Sequence, residues 1–259
     1  MKIGIVSDIH EDSRSLETAI RILEKKNCDE LACLGDIVGF DVLYYRYLSK
    51  RDASRCVALI RDNCRYVVAG NHDFFAARRI PASNGMFPFP ENWYELDFRE
   101  REKLGKGKVW LFEHQELPSL LNQKDKDFLE SLPEHIVVEF DRKRILFSHS
   151  IYPDLTGTLV WRPGNFWDFR EHFRFLESQN CRFGFSGHLH PNGIGKAIPH
   201  DFTFLPFRTY HIRQDLVQYI SPCTANSASK NGLAVLDLES MTVEVIPLKS
   251  RKYQIGCFQ

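Results

Sequence analysis

Short clusters of aspartate, asparagine and histidine recur along this sequence, and each directly follows an apolar run of strand length. The clusters are Asp8-Ile9-His10, Gly35-Asp36-Ile37-Val38-Gly39, Gly70-Asn71-His72-Asp73, Ser148-His149-Ser150 and Gly187-His188-Leu189-His190. One cluster alone is a weak signal, because a lone Asp-x-His is common by chance and the chain has 10 histidines. Five clusters at successive predicted strand ends are not expected by chance, so together they indicate a functional site.

The donor atoms in these clusters are those of a metal site. Carboxylate and amide oxygens mixed with imidazole nitrogens suit manganese, iron or zinc. Seven candidate ligands without a thiolate are too many for one tetrahedral zinc ion, and they fit two metal ions that share a bridging carboxylate. Two metals about 3.5–4 Å apart typically drive in-line displacement at phosphorus. The clusters therefore predict phosphoester chemistry.

The elements that must position these clusters alternate in the opening third of the chain. Apolar runs at residues 2–7, 30–34 and 66–69 predict strands, and helical patterns at residues 13–26 and 53–63 separate them. Ser13 is the candidate N-cap of the first helix. This order predicts parallel βαβ units, in which ligands bind beyond the carboxyl ends of the strands. The polar clusters fall at those ends.

Residues 78–134 interrupt this pattern and predict an insertion, partly helical, that packs over one edge of the core. Prolines and a Gly-Lys-Gly stretch break the segment, and aromatic residues are interleaved through it, at Phe87, Phe89, Trp93, Tyr94, Trp110 and Phe112. We interpret these aromatic residues as packing the insertion onto the core. The alternative is that some of them hold a nucleobase or an apolar leaving group.

Strand patterns dominate the second half of the chain and predict a second sheet packed on the first. Strands are predicted at residues 136–140, 144–148, 182–185, 202–207, 217–220, 233–238 and 243–247, with a turn at 141–143 and a helix at 168–177. Residues 221–237 are interpreted as a structural loop that leads into the terminal strand pair. Repeats and linker-like stretches are absent from the sequence, so we predict a single domain over residues 1–259 with an insertion at about 78–134.

The amino-acid composition argues against several classes of protein. Hydrophobic residues make up 43% of the chain, enough for a packed core, and 34 basic residues balance 34 acidic ones. A neutral balance argues against nucleic-acid binding through bulk positive charge. The 7 cysteines are scattered without a CxxC pair, which favours a reducing compartment over a disulfide scaffold. Without a signal-peptide core or an apolar run of about 20 residues, we expect no membrane association and a cytoplasmic location.

The five clusters, in this order, resemble the motifs of the calcineurin-like metallophosphoesterase family: Asp-x-His, Gly-Asp-x-x-Gly, Gly-Asn-His-Asp/Glu, a lone His, and Gly-His-x-His. All five motifs match, and they extend from Asp8 to His190. Protein Ser/Thr phosphatases continue the second motif with Asp-Arg-Gly, whereas here Val38-Gly39-Phe40 follows, so the chain is more similar to the small bacterial and archaeal phosphoesterases. The resemblance implies a four-layer αββα sandwich of two mixed sheets.

The resemblance also implies a role for each residue of the site. Asp8, His10 and His190 hold the first metal ion, Asn71, His149 and His188 hold the second, and Asp36 bridges both. A hydroxide that bridges the metals attacks phosphorus, while His72 stabilises charge or protonates the leaving oxygen. For Asp73 two interpretations stay open, a carboxylate that orients the His72 imidazole or an ordinary acid at a helix N-terminus. Manganese, iron and zinc are all compatible with this ligand set.

The expected substrate is a small phosphomonoester or phosphodiester, including nucleotides. Arg78, Arg79 and Arg162 are candidate substrate-binding residues, because arginine makes bidentate contacts with phosphate. Two other functions are considered: a non-catalytic metal-binding scaffold of the same fold, and a nuclease. The presence of His72 and of all seven candidate ligands argues against the scaffold, and the neutral charge argues against the nuclease. The sequence does not predict an oligomeric state.

Overall fold

Helices and strands alternate through the computed structural model of the protein, which describes residues 1–82, 87–140, 143–213, 215–227 and 230–249. The helices in this part of the chain are α1 (Ser13–Lys25), α2 (Ala53–Asn63), α3 (Asn71–Ala76), α4 (Phe98–Gly105), α5 (Gln123–Ser131) and α6 (Arg170–Ser178). The strands are β1 (Lys2–Val6), β2 (Glu30–Cys33), β3 (Phe40–Asp41), β4 (Tyr66–Val67), β5 (Glu116–Leu117), β6 (His135–Phe140), β7 (Lys143–Ser148), β8 (Phe183–Ser186), β9 (Ile194–Ile198), β10 (Asp201–Leu205), β11 (Thr209–His211), β12 (Val217–Ile220), β13 (Gly232–Asp237) and β14 (Thr242–Pro247). Short 3₁₀ helices lie at Leu48–Lys50 and Phe166–Phe169.

The first sheet has the strand order β11-β14-β13-β1-β2-β4. Its strands β1, β2 and β4 are parallel, while β1 pairs with β13 in antiparallel register. Because parallel strands end at the same edge of a sheet, the residues that follow β1, β2 and β4 lie close together. The βαβ units predicted from the alternating pattern are confirmed.

The second sheet has the order β10-β9-β12-β8-β7-β6, and its strands β7, β8 and β12 are parallel. The sequence pattern did not predict β9 in this sheet or β11 in the first sheet, because neither strand forms an apolar run that differs from its surroundings. The predicted turn at residues 141–143 falls mostly outside the described residues, since residues 141 and 142 are not among them.

Apolar side chains form three stacked core layers that define the architecture. Helices α1, α2 and α5 pack on the first sheet through buried residues that include Leu16, Val57 and Leu129. Residues of both sheets, such as Ile5 and Phe147, meet in a second layer between them. A third layer packs α6 on the outer face of the second sheet. The predicted four-layer αββα sandwich of two mixed sheets is confirmed.

The N-cap of α1 differs from the prediction. The side chain of Asp12 accepts the backbone N–H of Ser15 at 3.0 Å, so Asp12 is the cap and Ser13 is the first helical residue. Aspartate and serine are both favoured at this position, and the loop that precedes the helix decides which one takes it. Within the described residues, no helix combines the length and the apolar character needed to cross a membrane.

The insertion contributes to two parts of the fold. Its aromatic residues Phe87 and Trp93 are buried in a small cluster with Val109 and Leu159, which agrees with the interpretation that they pack the segment down. Helix α5 instead joins the helical layer on the first sheet, and strand β5 pairs with β3 in a separate two-stranded sheet. The insertion is therefore more deeply integrated than a segment lying over one edge.

We expect replacement of Gly35 by alanine to destabilise the protein, because β2 and β4 end in close contact at this position. Gly35 has a φ of 89°, and a Cβ there would lie 2.5 Å from the backbone nitrogen of Gly70. Left-handed strain and overpacking together lower the free energy of unfolding by roughly 2–5 kcal/mol. Urea denaturation of the metal-free protein measures this change.

Gly107 provides the matched control for this prediction. Its φ is 73°, and a Cβ there would meet nothing within 4 Å. Gly107→Ala therefore carries the backbone strain without the steric conflict, and we expect a loss of only about 1–2 kcal/mol. Equal losses for the two variants would show that a Cβ at Gly35 is accommodated without steric conflict against Gly70.

Candidate metal centre

The loops that follow the carboxyl ends of strands from both sheets converge at one place. Asp8 and His10 follow β1, Asp36 follows β2, Asn71 begins α3 after β4, His149 follows β7, and His188 and His190 follow β8. Donor atoms lie within 4.8 Å of one another in two separate sets, the first formed by Asp8, His10 and His190 and the second by Asp36, His149 and His188. A third grouping at this distance joins His72 to one member of each set, His10 and Asp36. Asn71 joins the second set, since its Oδ1 lies 3.1 Å from Nε2 of His149. The structure thus brings all seven predicted ligands together.

The loops that carry these side chains are strained. Positive φ angles occur at Asp8 (54°), His10 (46°), Glu11 (67°), Asp36 (53°), His188 (68°) and His190 (48°). A left-handed conformation at a residue other than glycine costs about 1–3 kcal/mol and is typical of functional sites. The sharp turns let side chains that leave different strands face one point.

The first set offers a free imidazole nitrogen to a cation. His10 donates through Nδ1 to the carbonyl oxygen of Gly39 at 2.9 Å, so its Nε2 carries the lone pair. That Nε2 is buried and has no hydrogen-bond partner among the described residues. In the same set, Nε2 of His190 lies 3.0 Å from Oδ1 of Asp8. A buried ring nitrogen that can accept a hydrogen bond but has no donor nearby is suited to bind a cation.

The second set also offers imidazole nitrogens to a cation. His149 donates through Nδ1 to the carbonyl oxygen of Leu34 at 2.7 Å, which leaves Nε2 facing the Oδ1 atom of Asn71. Two acceptor atoms at this distance repel each other unless a proton or a cation lies between them. Nε2 of His188 is buried and also lacks a hydrogen-bond partner among the described residues.

Asp36 lies between the two sets. Its Oδ2 atom is 3.1 Å from Nε2 of His149 and 3.8 Å from Nε2 of His10, while its Oδ1 accepts the backbone N–H of His72 at 2.9 Å. One carboxylate therefore faces a histidine of each set. This position fits the bridging role that the resemblance implied.

The pKa shifts of the ligands are those of a site that binds cations. Burial by itself raises the pKa of Asp36, but the imidazoles of His149 and His72 more than offset this and hold that pKa well below its ordinary value. Burial lowers the pKa of His10 and of His188 to about 3, so both imidazoles are neutral and keep their lone pairs. Neutral imidazoles and ionised carboxylates are the forms that bind metal.

His149 and His190 have raised pKa values. Burial lowers the pKa of both, but the charges of Asp36 and Asp8 outweigh burial and raise the pKa of His149 to about 9. The charges of Cys223 and Asp8 raise the pKa of His190 in the same way. These two imidazoles therefore release a proton when a cation binds. The donor set fits two metal ions.

His72 lies beside the two sets and contacts a residue that the sequence analysis missed. Its Nδ1 is 2.5 Å from Oε2 of Glu116, and its Nε2 is 4.0 Å from Oδ2 of Asp36. Burial lowers the pKa of His72, but the charges of Glu116 and Asp36 outweigh burial and raise it to about 9. No motif points to Glu116, because it follows His72 by 44 residues and lies in the insertion.

Asp73 does not orient the His72 imidazole in this structure. Its carboxylate accepts the backbone N–H groups of Ile37 (2.9 Å), Val38 (3.2 Å) and Gly70 (3.0 Å). Adjacent residues on a helix point in different directions, so Asp73 faces the loop after β2 instead. Burial and the charge of Asp36 raise the pKa of Asp73 to about 7. The interpretation as an acid at a helix N-terminus is the one that the geometry supports.

Two of the three candidate substrate arginines lie elsewhere. Arg78 donates to the carbonyl oxygen of Tyr94, and Arg79 donates to that of Leu132 at 2.7 Å with its guanidinium 4.0 Å from the ring of Phe74. Both arginines therefore hold the insertion against α3. The two arginines lie away from the ligands because α3 starts at Asn71 and rises about 1.5 Å per residue, which carries the chain away from the site.

A cavity of about 210 Å³ opens onto the ligands, and Arg162 lines it. The guanidinium carbon of Arg162 lies 5.5 Å from the centre of the Trp110 ring, and its positive charge adds to the burial that lowers the pKa of His188. The walls combine the ligands with aromatic, apolar and polar side chains, namely Asp41, Tyr44, Tyr45, His72, Trp110, Phe112, Gln115, Leu189 and Ser227. Two of the insertion's predicted packing residues, Trp110 and Phe112, thus also border the site.

Comparisons with known proteins agree with this geometry. The sequence profile described as calcineurin-like phosphoesterase matches residues 1–192. An uncharacterised protein of Methanocaldococcus jannaschii, MJ0912, is 28% identical over 150 residues, which are 57% of this chain and 49% of that protein. The chain thus spans about half the length of this curated relative.

Two solved structures share the fold. A metallophosphoesterase from Sphaerobacter thermophilus superposes with a TM-score of 0.64 at 17% identity, over 97% of this chain and 89% of that one. A hypothetical protein from Pyrococcus horikoshii OT3, PH1004, gives a TM-score of 0.58 at 13% identity, with the same coverage of 97% and 89%. At these identities the likeness establishes the fold alone.

Proposed function

The chain belongs to the calcineurin-like phosphoesterase family, and from this premise we propose that it hydrolyses phosphoesters with a pair of metal ions bound at the candidate metal centre. The observation that supports this most is the position of Asp36, whose carboxylate faces a histidine of each ligand set. Manganese, iron and zinc all suit these donors. Two such cations supply Lewis acidity, which lowers the pKa of a water molecule toward neutrality and offsets negative charge on the phosphoryl oxygens.

The residues around the ligands provide the rest of the chemistry. His72 lines the cavity with its Nε2 toward Asp36, and from there it donates a proton to the leaving oxygen. Arg162 binds a phosphoryl oxygen from the cavity wall. The strained loops hold the ligands in place before a substrate arrives, which is the preorganisation that metal catalysis needs.

The charges that line the cavity favour a phosphodiester over a phosphomonoester. Arg162 is the single arginine or lysine among the described residues of the lining, and Asp41 adds a carboxylate. A diester carries one negative charge, whereas a monoester approaches two near neutral pH. The charge of two metal ions is available to both esters, but the second charge of a monoester finds a carboxylate in the cavity wall and, among the described lining residues, no second arginine or lysine. A nucleotide diester stays within this class, because the aromatic walls can accept a base.

The test of this function is hydrolysis of bis-p-nitrophenyl phosphate and of p-nitrophenyl phosphate by metal-stripped protein, with and without added Mn²⁺. We expect turnover that depends on metal and is faster for the diester. If two ions bind to each chain but neither ester nor any nucleotide is turned over, the scaffold function becomes the better account. Activity on oligonucleotides that falls steeply with salt would favour the nuclease.

We expect Arg162→Ala to lower kcat/KM for the diester by about 10–100-fold, because a charge-assisted hydrogen bond contributes about 1.5–3 kcal/mol. Arg162→Lys keeps the charge but loses the bidentate geometry, so its loss should be smaller. Arg170, which lies over Trp167 at 5.6 Å and does not line the cavity, provides the matched control. Equal kcat/KM for Arg162→Ala and Arg170→Ala would remove Arg162 from the site.

A small phosphate ester is the partner that this proposal requires. The described cysteines are free. A cytoplasmic location stays a prediction from the scattered cysteine pattern.

A further inference from the structure

Strand β5 brings a carboxylate of the insertion to the edge of the metal centre. In the two-stranded sheet, Glu116 pairs with Asp41 and Leu117 pairs with Phe40, and this partner strand begins four residues after Asp36. The side chain of Glu116 is only 3% exposed, and that of His72 only 11%. A carboxylate buried to this extent needs a partner that stabilises its charge, and the imidazole of His72 is that partner.

The contact fixes the orientation of the His72 ring. Oε2 of Glu116 lies 2.5 Å from Nδ1 of His72, so Nδ1 carries a proton and donates it. The opposite ring nitrogen, Nε2, then points toward Asp36 and the cavity. The rings of Phe112 and His10 lie against His72 with centroid distances of 4.3 Å and 4.8 Å. The imidazole is therefore held by one hydrogen bond and by two packed rings.

We infer that Glu116 is a positioning residue, which holds His72 as an imidazolium in the one orientation that aims its Nε2–H at the substrate's leaving oxygen. This inference rests on the proposed function, in which His72 is the proton donor. In that step the oxygen of a water molecule, which gives up one proton to solvent, forms a bond to phosphorus as the bond between phosphorus and the leaving oxygen breaks. At the same time the Nε2–H bond of His72 breaks and an O–H bond forms on the leaving oxygen. The Nδ1 proton stays on His72 and remains hydrogen-bonded to Glu116 throughout.

The inference gives the insertion a role in the reaction. Phe112 and Glu116 lie four residues apart in the same segment, and both contact His72. Correct packing of the insertion is then required for a correctly aimed His72, whereas none of the seven predicted ligands lies in the insertion. Changes in this segment should affect turnover without affecting metal binding.

A double-mutant cycle tests the inference. We expect Glu116→Gln to lower kcat for bis-p-nitrophenyl phosphate by about 10–100-fold, by analogy with the carboxylate partners of metal-bound histidines, with KM and bound metal per chain unchanged. Glu116→Asp keeps the charge and should recover part of the loss. In the His72→Ala background, Glu116→Gln should have no further effect, because Glu116 acts only through His72. Glu95→Gln, an exposed carboxylate of the insertion, is the matched control.

Two results would overturn the inference. One is an equal loss of kcat from Glu116→Gln in the presence and in the absence of His72, which would make Glu116 a structural residue. The other is loss of bound metal in Glu116→Gln, which would place Glu116 in the ligand set.

A spectroscopic measurement separates this inference from the proposed function. The Nδ1 proton of His72, donated to a buried carboxylate over a short distance, should give a strongly deshielded NMR signal in zinc-loaded protein. We expect the signal to be absent from Glu116→Gln and His72→Ala and present in Glu95→Gln. If the wild type shows this signal but hydrolyses no ester, the proposed function fails and the pairing stands. If no such signal exists while turnover is normal, the inference fails and the function stands.

Discussion

Asp36→Asn is expected to abolish turnover and to reduce the bound metal from two ions per chain to one or none. The carboxylate of Asp36 faces His149 at 3.1 Å and His10 at 3.8 Å, so it lies between both sets. The carboxylate of Asp8 lies 3.0 Å from His190 and is farther from His149, at 4.0 Å. Replacing the Asp36 carboxylate by an amide removes a negative charge that must balance two cations in a buried site. The amide can still accept the backbone N–H of His72, so the fold should survive.

Metal analysis of the purified variant after dialysis, together with hydrolysis of bis-p-nitrophenyl phosphate, measures both effects. The matched control is Asp62→Asn, since the Asp62 side chain is 68% exposed on α2. This control should keep two ions and full activity. Normal turnover with full metal content in Asp36→Asn would show that the assignment of a bridging ligand is wrong.

His72→Ala is expected to lose turnover by a different route. The variant should keep both metal ions, because His72 is not among the seven predicted ligands, yet kcat should fall by about 10²–10⁴-fold. The loss should be larger for alkyl esters than for p-nitrophenyl esters, since a poor leaving group depends more on a proton donor. Metal content and kcat for the two kinds of ester are the measurements.

His200→Ala, at an exposed position away from the cavity, is the control for His72. Loss of metal in His72→Ala that equals the loss in Asp36→Asn would make His72 a ligand. Equal losses for good and poor leaving groups would leave it in the site but remove its role as proton donor.

The ligands could be predicted from the sequence because each of them is a local feature. An apolar run of strand length followed by a polar cluster appears within about ten residues, as at Asp8 and at His188. The parallel pairing of β1, β2 and β4 then brings distant clusters together without any further information. Two packed sheets followed from the strand patterns, whereas the four-layer sandwich was implied by the resemblance to the family.

Glu116 could not be predicted, because its contact depends on how the insertion folds back. The strand that carries it, Glu116–Leu117, is two residues long and has no sequence signature of its own. Its partner strand, Phe40–Asp41, is equally short. Only the tertiary structure shows that this pairing places a carboxylate against His72.

Arg78 and Arg79 illustrate the opposite error. Both follow the Asn-His-Asp cluster closely in sequence, so proximity along the chain suggested proximity to the site. The helix Asn71–Ala76 breaks that relation, and both guanidinium groups bind backbone carbonyls of the insertion. Arg162, which follows Ser150 by 12 residues in the sequence, does line the cavity.

The most direct test of the account is the number and position of metal ions in crystals of manganese-loaded protein, read from anomalous diffraction. We expect two peaks about 3.5–4 Å apart. One should lie within coordination distance of Asp8, His10 and His190, the other within that of Asn71, His149 and His188, with Asp36 in contact with both. A single peak in protein that still hydrolyses the diester, or two peaks that do not share Asp36, would contradict the account.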